Sequence, residues 1–312
     1  MVPLAGGRDS WHAAAGGAAG RADFLSRRTG GGIQPRTARA LAGELGMSNN
    51  TFRSLHHGST PLLLPNAWDA GSARLMESVG AKAIATTSAG LCWSRGYPDG
   101  DALPPEQLVA ATREIARVIR VPLSIDMEGG YSDDPAAVAE LVARLIDAGA
   151  AGINIEDGAG PPELLCRKIE SVKQTAARLN ADLFINARTD VYLRAMASGD
   201  AAVEEAIRRA GCYRAAGCDG VFVPGLAETG AMAAIADAIH PLPLNIMLLP
   251  GLPSVEVLYR HGVRRLSAGA AIAQAVLGHA SRLVTSFLEG SSDEMFALPG
   301  VDYGRLNRLF KK

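Results

Sequence analysis

The chain contains 312 residues, of which 48% are hydrophobic and 20% are charged, enough to build a sizeable core and to argue against general disorder. Its formal net charge of -1 argues against a nucleic-acid partner, which would need a basic face. No run of about 18 apolar residues occurs, so we expect no membrane span. The four cysteines lack paired spacing and fit a reduced, cytoplasmic protein.

The first 46 residues differ in composition from the rest of the chain. They contain ten glycines and six arginines against three acidic residues, without an apolar period of 2 or 3.6 residues. Such a segment cannot bury enough surface to offset its ordering entropy, and it lacks the apolar region of a secretory signal. We therefore predict a disordered extension over residues 1–46 and one folded domain over residues 47–312, and we expect the natural chain to start at Met47.

From residue 61 onward, helical stretches end at a glycine and short apolar strands follow, as at Gly149, Gly217 and Gly262. A glycine closes a helix in the left-handed conformation, and a buried parallel strand comes next. Eight such strands alternating with helices predict a (β/α)8 TIM barrel rather than an open doubly wound sheet. The predicted strands cover residues 62–64, 83–87, 123–127, 152–155, 183–187, 220–223, 244–248 and 263–267.

Two further features bear on the domain. No GxGxxG follows the first strand and no GKT or GKS occurs, so neither a dinucleotide site nor a phosphate-binding P-loop is predicted. Spaced apolar residues over 291–312 predict a C-terminal helical extension, which we expect to pack on the barrel or on a partner subunit.

Catalytic residues of such barrels lie at the C-terminal ends of the strands. There the sequence places a set of polar and small residues. In chain order they are Asn66, Trp68, Asp69, Ser88, Ala89, Gly90, Asp126, Glu128, Glu156, Asp157, Asn186, Arg188, Asp190, Gly225, Asn245 and Ser267.

The acids at these ends predict a metal site. Asp126, Glu128 and Glu156 should project from adjacent strands towards one mouth, and converging carboxylates repel one another. A hard divalent cation relieves that repulsion, and oxygen-only ligands favour Mg²⁺, or Mn²⁺, over zinc. In the alternative, Asp126 caps a turn and Glu156 pairs with Arg188, which leaves Glu128 unexplained.

Arg188 follows an apolar strand, so its guanidinium should reach the mouth, where its fork of donors suits a substrate carboxylate or phosphate. A salt bridge to Glu156 or Asp190 is the alternative, and the two roles are compatible. Free backbone N–H groups at residues 88–90 form a candidate anion cradle. No lysine or histidine stands at a strand end, so neither a Schiff-base aldolase nor a Ser-His-Asp enzyme is expected.

Five motifs occur in chain order: Asn66-Ala67-Trp68-Asp69, Thr87-Ser88-Ala89-Gly90, Ile125-Asp126-Met127-Glu128-Gly129-Gly130-Tyr131, Ile153-Asn154-Ile155-Glu156-Asp157 and Asn186-Ala187-Arg188-Thr189-Asp190. In this combination the sequence resembles the phosphoenolpyruvate mutase/isocitrate lyase superfamily over about residues 50–290. The resemblance implies a (β/α)8 barrel that binds Mg²⁺ and a small α-oxycarboxylate, and a homodimer or homotetramer with swapped helices.

The resemblance also implies roles for single residues. Asp126 would be the direct metal ligand, Glu128 and Glu156 would hold metal-bound waters, and Asp99 would belong to the same water shell. The substrate carboxylate would bind at residues 88–90, and its oxyanion end at Arg188. The predicted catalytic residues are Arg188, Glu156 and Asp99, and the predicted substrate-binding residues are Trp68, Ser88, Ala89, Gly90, Arg188 and Asn245.

The sequence departs from the superfamily pattern in three places. Isocitrate-type lyases carry Cys-Gly-His on a mobile loop after the strand-four acids, whereas residues 158–165 contain none, and Cys166 should lie on the apolar face of a helix. The mutases carry a lysine and an asparagine on that loop, and neither precedes Lys168. Val223-Pro224-Gly225 stands where the family has Phe-Pro-Glu.

The metal-binding and carboxylate-binding residues that the sequence retains from this pattern suit one kind of reaction. We expect a Mg²⁺-dependent lyase or decarboxylase that cleaves a C–C bond of a small 2-oxo or 2-hydroxy acid through a metal-stabilised, pyruvate-like enolate. The proton would come from water, from Tyr97 or Tyr131, or from the short loop. The alternatives are a phosphoenolpyruvate mutase or carboxyphosphonate-type enzyme acting on a P–C bond, and a metabolite-binding barrel with little catalysis. The loops over 91–101 and 158–165 should select the substrate.

Overall fold

The computed structural model describes residues 50–297 and 300–311, so the predicted disorder of residues 1–46 lies outside the described residues. Nine parallel strands form the sheet in this part of the chain. The strands are β1 (Leu62–Leu64), β2 (Asn66–Ala67), β3 (Ile84–Thr86), β4 (Leu123–Asp126), β5 (Gly152–Glu156), β6 (Phe184–Arg188), β7 (Gly220–Val223), β8 (Leu244–Met247) and β9 (Val263–Ser267).

Helices separate the strands along the chain. They are α1 (Asn50–Leu55), α2 (Ala70–Ser78), α3 (Ser88–Ser94), α4 (Pro105–Val118), α5 (Pro135–Ala148), α6 (Pro162–Arg178), α7 (Gly199–Ala215), α8 (Thr229–Ile239), α9 (Val255–Arg260), α10 (Ala271–Leu288), α11 (Asp293–Ala297) and α12 (Tyr303–Phe310).

The strands close into a nearly complete barrel in the order β1-β9-β8-β7-β6-β5-β4-β3-β2. The first predicted strand, 62–64, is β1, and a short continuation, β2, follows after Pro65. Pro65 interrupts the pairing because it has no N–H to donate, while its carbonyl accepts from Ala85 N at 3.0 Å. The side chain of Asn66 connects β3 to the segment that follows β9. Its Nδ2 donates to Thr86 O (2.8 Å) and its Oδ1 accepts from Gly269 N (3.0 Å). The predicted (β/α)8 architecture is confirmed, with one interrupted strand.

Glycine ends the helices where the sequence predicted. Gly149 follows α5 with φ +110°, and its N–H donates to the carbonyls of Ile146 and Leu145, as a left-handed C-cap requires. A Cβ at this position would lie 2.8 Å from Ala116 Cβ, so glycine also allows α5 to approach α4. The core fills the space between the sheet and the helices, and α5 contributes its buried apolar face, Val138, Ala139, Leu141, Val142, Leu145 and Ala148.

The C-terminal helices follow the barrel as predicted. α12 contacts α2, where Arg74 Nε donates to Leu309 O at 2.8 Å. Large apolar side chains of this region stay exposed, among them Phe287, Leu288 and Phe296. Within the described residues, every helix is too short or too polar to cross a membrane.

Helix α1 packs against the strand residues at the N-terminal end of the barrel. Phe52 is fully buried and meets Phe184 edge-on at 5.6 Å, and His56 stacks on the same ring at 4.1 Å. His56 Nδ1 lies 2.9 Å from Phe52 O. Burial, together with the charge of Arg265, lowers the pKa of His56 to about 3, so the ring is neutral in the folded protein at neutral pH.

This lowered pKa predicts a specific acid sensitivity. In the unfolded chain His56 takes up a proton near its ordinary pKa, about 6.5, so the stability that its neutral form provides is present above pH 6.5 and is lost as the pH falls towards 3. Between pH 8 and pH 5 the loss is about 2 kcal/mol. We expect His56→Phe to lose about 2 kcal/mol less than the wild type over this interval in urea unfolding. His57→Phe, at the exposed neighbouring histidine, is the control, and equal pH slopes for His56→Phe and wild type would contradict the prediction.

Candidate active site

A cavity of about 640 Å³ opens at the C-terminal ends of β4 and β5. Its wall is made by the loops that follow these strands and by the first turns of α6. Among the lining residues are Gly100, Asp101, Glu128, Glu156, Asp157, Gly158, Gly160, Lys168 and Arg194. Glu128 and Glu156 thus line the cavity together with parts of both loops expected to select the substrate, whereas Asp126 and Arg188 are not among its lining residues.

Asp126 is the last residue of β4. Its backbone N–H donates to Thr86 Oγ1 at 2.8 Å, while the buried carboxylate oxygen Oδ1 has no hydrogen-bond partner among the described residues. Burial raises the pKa of Asp126, and the positive charge of Arg188 opposes that rise. A buried carboxylate oxygen without a donor is costly, and a hard cation is a suitable partner for it.

Arg188 ends β6 opposite Glu156 at the end of β5. Its Nη1 lies 2.6 Å from Glu156 Oε2, and its Nε donates to Asp190 Oδ1 at 2.7 Å. The salt bridges considered as alternatives in the sequence therefore both form, and Nη2 has no hydrogen-bond partner in the described chain. Burial disfavours the charged guanidinium, but the carboxylates of Glu156, Asp126 and Asp190 outweigh it and raise the pKa of Arg188.

Glu156 is the acid whose protonation the site shifts most clearly. Burial raises the pKa of Glu156 to about 8. The positive charge of Arg188 opposes this rise, and the negative charges of Asp126 and Asp190 add to it. Several carboxylates thus lie close to Glu156 beside the single Arg188. A cation would be favourable among them.

Glu128 has partners that the sequence did not reveal. It adopts φ +51°, its Oε2 accepts from the N–H groups of Gly100 (2.8 Å) and Asp101, and its Oε1 accepts from Tyr131 OH at 3.0 Å. Burial raises the pKa of Glu128, and the hydrogen bonds from Asp101 and Tyr131 oppose the rise. The Glu128 carboxylate therefore holds the loop that carries Asp99 against the end of β4. This structural role accounts for Glu128, which the metal-free alternative in the sequence left unexplained.

One close group of potential ligand atoms lies beside the predicted acids. Cys92, Asp99 and Glu128 bring their ligand atoms within 4.8 Å of one another, whereas Asp126, Glu128 and Glu156 are not such a set in the described part of the chain. Burial and the charge of Glu128 raise the pKa of Cys92 to about 12, so its thiol is protonated at neutral pH. Direct ligation of one ion by all three predicted acids is therefore not supported, and their shared metal role stays a prediction.

The predicted anion cradle at residues 88–90 is only partly free. The Gly90 N–H is directed at Thr87 Oγ1 (3.5 Å), and a backbone hydrogen bond joins Ser88 to Asp126. Of the three backbone N–H groups at residues 88–90, that of Ala89 is the one without a hydrogen-bond partner within the described residues. A Cβ on Gly90 would lie 2.7 Å from Thr87 Cγ2 and 3.1 Å from Trp68 Cβ, so the half-buried Trp68 packs against this turn and requires glycine there.

Asn245 does not end its strand as predicted. It is the second residue of β8 and is buried, its Oδ1 accepts from Ser267 Oγ at 3.1 Å, and its Nδ2 has no partner in the described chain. Arg265 completes this interior network, with Nε donating to Ser267 Oγ (3.2 Å) and Nη2 to Asn154 Oδ1 (3.1 Å). Asn245 is placed in the interior because the strand begins only one residue before it, and its substrate-binding role stays a prediction.

Sequence reasoning missed Arg265. The side chain is fully buried, and burial lowers its pKa to about 9 although Asp126 opposes the shift. The signal was present in β9, where Val263, Arg265 and Ser267 alternate with less buried residues, because alternate side chains of a strand share one face.

Lys168 was also missed. It stands on α6 rather than at a strand end, yet it is only 5% exposed and lines the cavity. Its Nζ donates to Gly129 O at 2.8 Å and lies 3.6 Å from Asp133 Oδ1. The expectation that Cys166 lies on the apolar face of the same helix is confirmed, since it packs against the core.

The turn after β5 is held by helix α7. Asp157 is buried, and its Oδ2 accepts from Arg209 Nη1 at 2.8 Å and from Tyr213 OH. Its Oδ1 accepts from Asp190 N at 2.9 Å, and Arg209 Nη1 also donates to Gly160 O at 3.0 Å. Two residues four apart on one face of α7 thus position the short loop between β5 and α6.

The Asp157–Arg209 pair is expected to be structurally important. Arg209→Leu leaves a buried carboxylate without its cation and should lower the free energy of unfolding by about 3 kcal/mol or more, measured by urea denaturation. Arg208→Leu is a matched control, because Arg208 pairs with the same Glu205 but is exposed, and it should cost less than about 1 kcal/mol. Equal losses in the two variants would contradict this assignment.

Residues 52–288 match the family model for phosphoenolpyruvate phosphomutase. An uncharacterized protein of Mycobacterium tuberculosis H37Rv is 39% identical over 243 residues, covering 75% of this chain and 89% of its own length. The 2-methylisocitrate lyase of Escherichia coli K12 is 31% identical over 208 residues, covering 62% and 68%.

Solved structures agree with the sequence matches. A candidate phosphonomutase from Burkholderia cenocepacia J2315 superposes with a TM-score of 0.73 at 37% identity, covering 76% of this chain and 99% of its own. Oxaloacetate acetylhydrolase superposes with a TM-score of 0.74 at 25% identity, covering 84% and 93%. Fold and site define a (β/α)8 barrel with an acidic, arginine-bearing mouth. The chain belongs to the phosphoenolpyruvate phosphomutase family, within the phosphoenolpyruvate mutase/isocitrate lyase superfamily that its motifs indicated.

Proposed function

We propose that this protein is a Mg²⁺-dependent lyase or decarboxylase that cleaves a C–C bond of a small 2-oxo or 2-hydroxy acid and releases a pyruvate-like product. The observation that carries the proposal is the buried Oδ1 of Asp126, which has no hydrogen-bond partner among the described residues and ends a strand beside Arg188. Relatives that act as lyases, such as 2-methylisocitrate lyase at 31% identity, support the reaction class.

The residues present fit a magnesium ion. Asp126 would hold it directly, and Asp99, Glu128 and Glu156 would hold its water ligands. Mn²⁺ accepts the same oxygen ligands. When bound, the cation supplies positive charge that stabilises the negative charge developing on the substrate oxygen.

The protein's own groups would orient the substrate. The free Nη2 of Arg188 and the unpaired Ala89 N–H supply donors for a carboxylate, and the pairs to Glu156 and Asp190 keep the guanidinium in one orientation. Tyr131 and Tyr97 both stay candidates for the group that supplies a proton. The Tyr131 hydroxyl donates to Glu128 Oε1 at 3.0 Å, whereas the Tyr97 hydroxyl accepts from Gln107 Nε2 and keeps its own proton available.

Loss of the unpartnered carboxylate should abolish activity. With Mg²⁺ and oxaloacetate or branched malates, we expect the wild type to release a 2-oxoacid and Asp126→Asn to be slower by about 100-fold or more. Chelation by EDTA should have the same effect, and added Mg²⁺ should reverse it. Asp147→Asn removes the same charge from an exposed site on α5 and is the control. No turnover across the panel, or equal rates in the two variants, would refute the proposal.

A mutase acting on a P–C bond is the second candidate. The match to the phosphoenolpyruvate phosphomutase model and the 37% identity to a candidate phosphonomutase favour it. Phosphorus NMR of phosphoenolpyruvate and phosphonopyruvate incubated with the protein and Mg²⁺ distinguishes it from the lyase. Binding of oxalate and Mg²⁺ without turnover of any of these compounds would instead favour a metabolite-binding barrel.

We further propose that the chain forms a homodimer or homotetramer through α10. Only Ala273 of its 18 residues is buried, and Val276, Leu277, Val284 and Phe287 expose a large part of their apolar surface. Contiguous apolar surface of this kind is typical of subunit interfaces.

The interface can be tested by mass in solution. We expect sedimentation velocity to give a dimer or tetramer for the wild type and mainly monomer for the double variant Leu277→Lys, Val284→Lys, because buried lysines oppose association. Gln274→Lys, at an exposed polar site on the same helix, should leave the assembly intact. A monomeric wild type, or an unchanged mass in the double variant, would contradict the proposal.

A further inference from the structure

We propose that Arg194 forms a second anion subsite at the rim of the cavity, which receives an acidic group at the far end of an α-oxycarboxylate bound near Arg188. The proposal rests on the proposed function, because the near end of the ligand is the α-oxyacid assigned there. It adds a residue that selects the substrate, and it names the preferred class, a small diacid.

One buried carboxylate holds both arginines. Asp190 is fully buried, its Oδ1 accepts from Arg188 Nε at 2.7 Å, and its Oδ2 accepts from Arg194 Nε at 3.0 Å. The backbone joins the same unit, since Arg194 N donates to Asp190 O at 2.9 Å. The Arg194 side chain is therefore anchored at Nε although half of its surface is exposed.

Anchoring at Nε leaves the outer edge of the Arg194 guanidinium for a ligand. Its Nη1 and Nη2 have no hydrogen-bond partner among the described residues, and the side chain lines the cavity together with Gly158 and Gly160. Two parallel N–H donors form the fork that binds a carboxylate or phosphonate in bidentate fashion. Gly158 leaves space there, since a Cβ on it would be 3.8 Å from Arg194 Nη2.

The other charged groups of the cavity are already engaged. Glu156 pairs with Arg188, and Asp157 is held by α7, so neither neutralises Arg194. Lys168 uses its Nζ for Gly129 O and Asp133. Among the charged side chains that line this cavity in the described chain, Arg194 is therefore the cation whose Nη1 and Nη2 groups remain available to a ligand.

The spacing of the two arginines sets the size of the ligand. Because both Nε atoms contact the same carboxylate, these two atoms are no more than about 8 Å apart, and the two guanidinium groups are near neighbours. A four-carbon acid with charged groups at both ends spans such a gap when each end accepts hydrogen bonds from one arginine. A monoacid of the same chemistry would reach only the inner arginine.

Malate and lactate test this difference, because they share a 2-hydroxy acid and differ in the second carboxylate. We expect wild-type protein with Mg²⁺ to bind malate at least about tenfold more tightly than lactate in titration calorimetry. Arg194→Gln should weaken malate binding by about tenfold and change the affinities for lactate and oxalate less than twofold, with Arg194→Lys in between. Arg113→Gln, at an exposed arginine on α4, should change none of them. Phosphonopyruvate titrated in parallel identifies the far group, because the ligand that loses more affinity carries the preferred one.

The outcomes separate this proposal from the one on which it rests. If the wild type binds neither oxalate nor lactate with Mg²⁺, the proposed function fails. If oxalate binds but neither malate nor phosphonopyruvate depends on Arg194, the rim subsite is refuted. An equal loss for oxalate and malate would also refute it, because Arg194 would then act only through Asp190 on Arg188. An unchanged melting temperature of Arg194→Gln excludes misfolding as the cause.

Discussion

The buried carboxylate of Asp190 organises the charges at the mouth of the barrel. The carboxylate accepts hydrogen bonds from Arg188 and Arg194, and the backbone N–H of Asp190 donates to Asp157 Oδ1. Breaking a buried pair of this kind costs about 3–5 kcal/mol, whereas an exposed pair contributes about 0–1 kcal/mol. The few buried pairs therefore determine where the arginines point, and the many surface pairs do not.

The same network accounts for the short turn after β5. The connection between β5 and α6 covers only residues 157–161, and its Asp157 is held by Arg209 and Tyr213 on α7. A short turn held in this way cannot fold far over the cavity, so water has access to it. The rim subsite proposed at Arg194 fits this arrangement, because its donor belongs to the fixed wall of the cavity.

The acids at the mouth differ in function because their surroundings differ. Glu128 is satisfied by backbone N–H groups and Tyr131, Glu156 is paired with Arg188, and Asp126 retains a buried oxygen without a donor. Three carboxylates that look equivalent in the sequence thus divide into a loop anchor, an ion-pair partner and a candidate ligand. Their division depends largely on contacts between residues far apart in the sequence, namely the hydrogen bonds of Gly100 and Asp101 to Glu128 and the salt bridge of Arg188 to Glu156.

The sequence by itself determined the barrel and the level at which the site lies. Glycine stops and apolar strands are local signals, and the carboxyl ends of parallel strands necessarily meet at one end of the barrel. Asp126, Glu156 and Arg188 could therefore be placed together without coordinates. Only the tertiary structure decided that Lys168 reaches the cavity from a helix and that Asn245 and Arg265 join one hydrogen-bonded network with Ser267 and Asn154 inside the barrel. These contacts depend on how far a long side chain extends and on which strand it reaches, and neither is encoded in the spacing of residues along the chain.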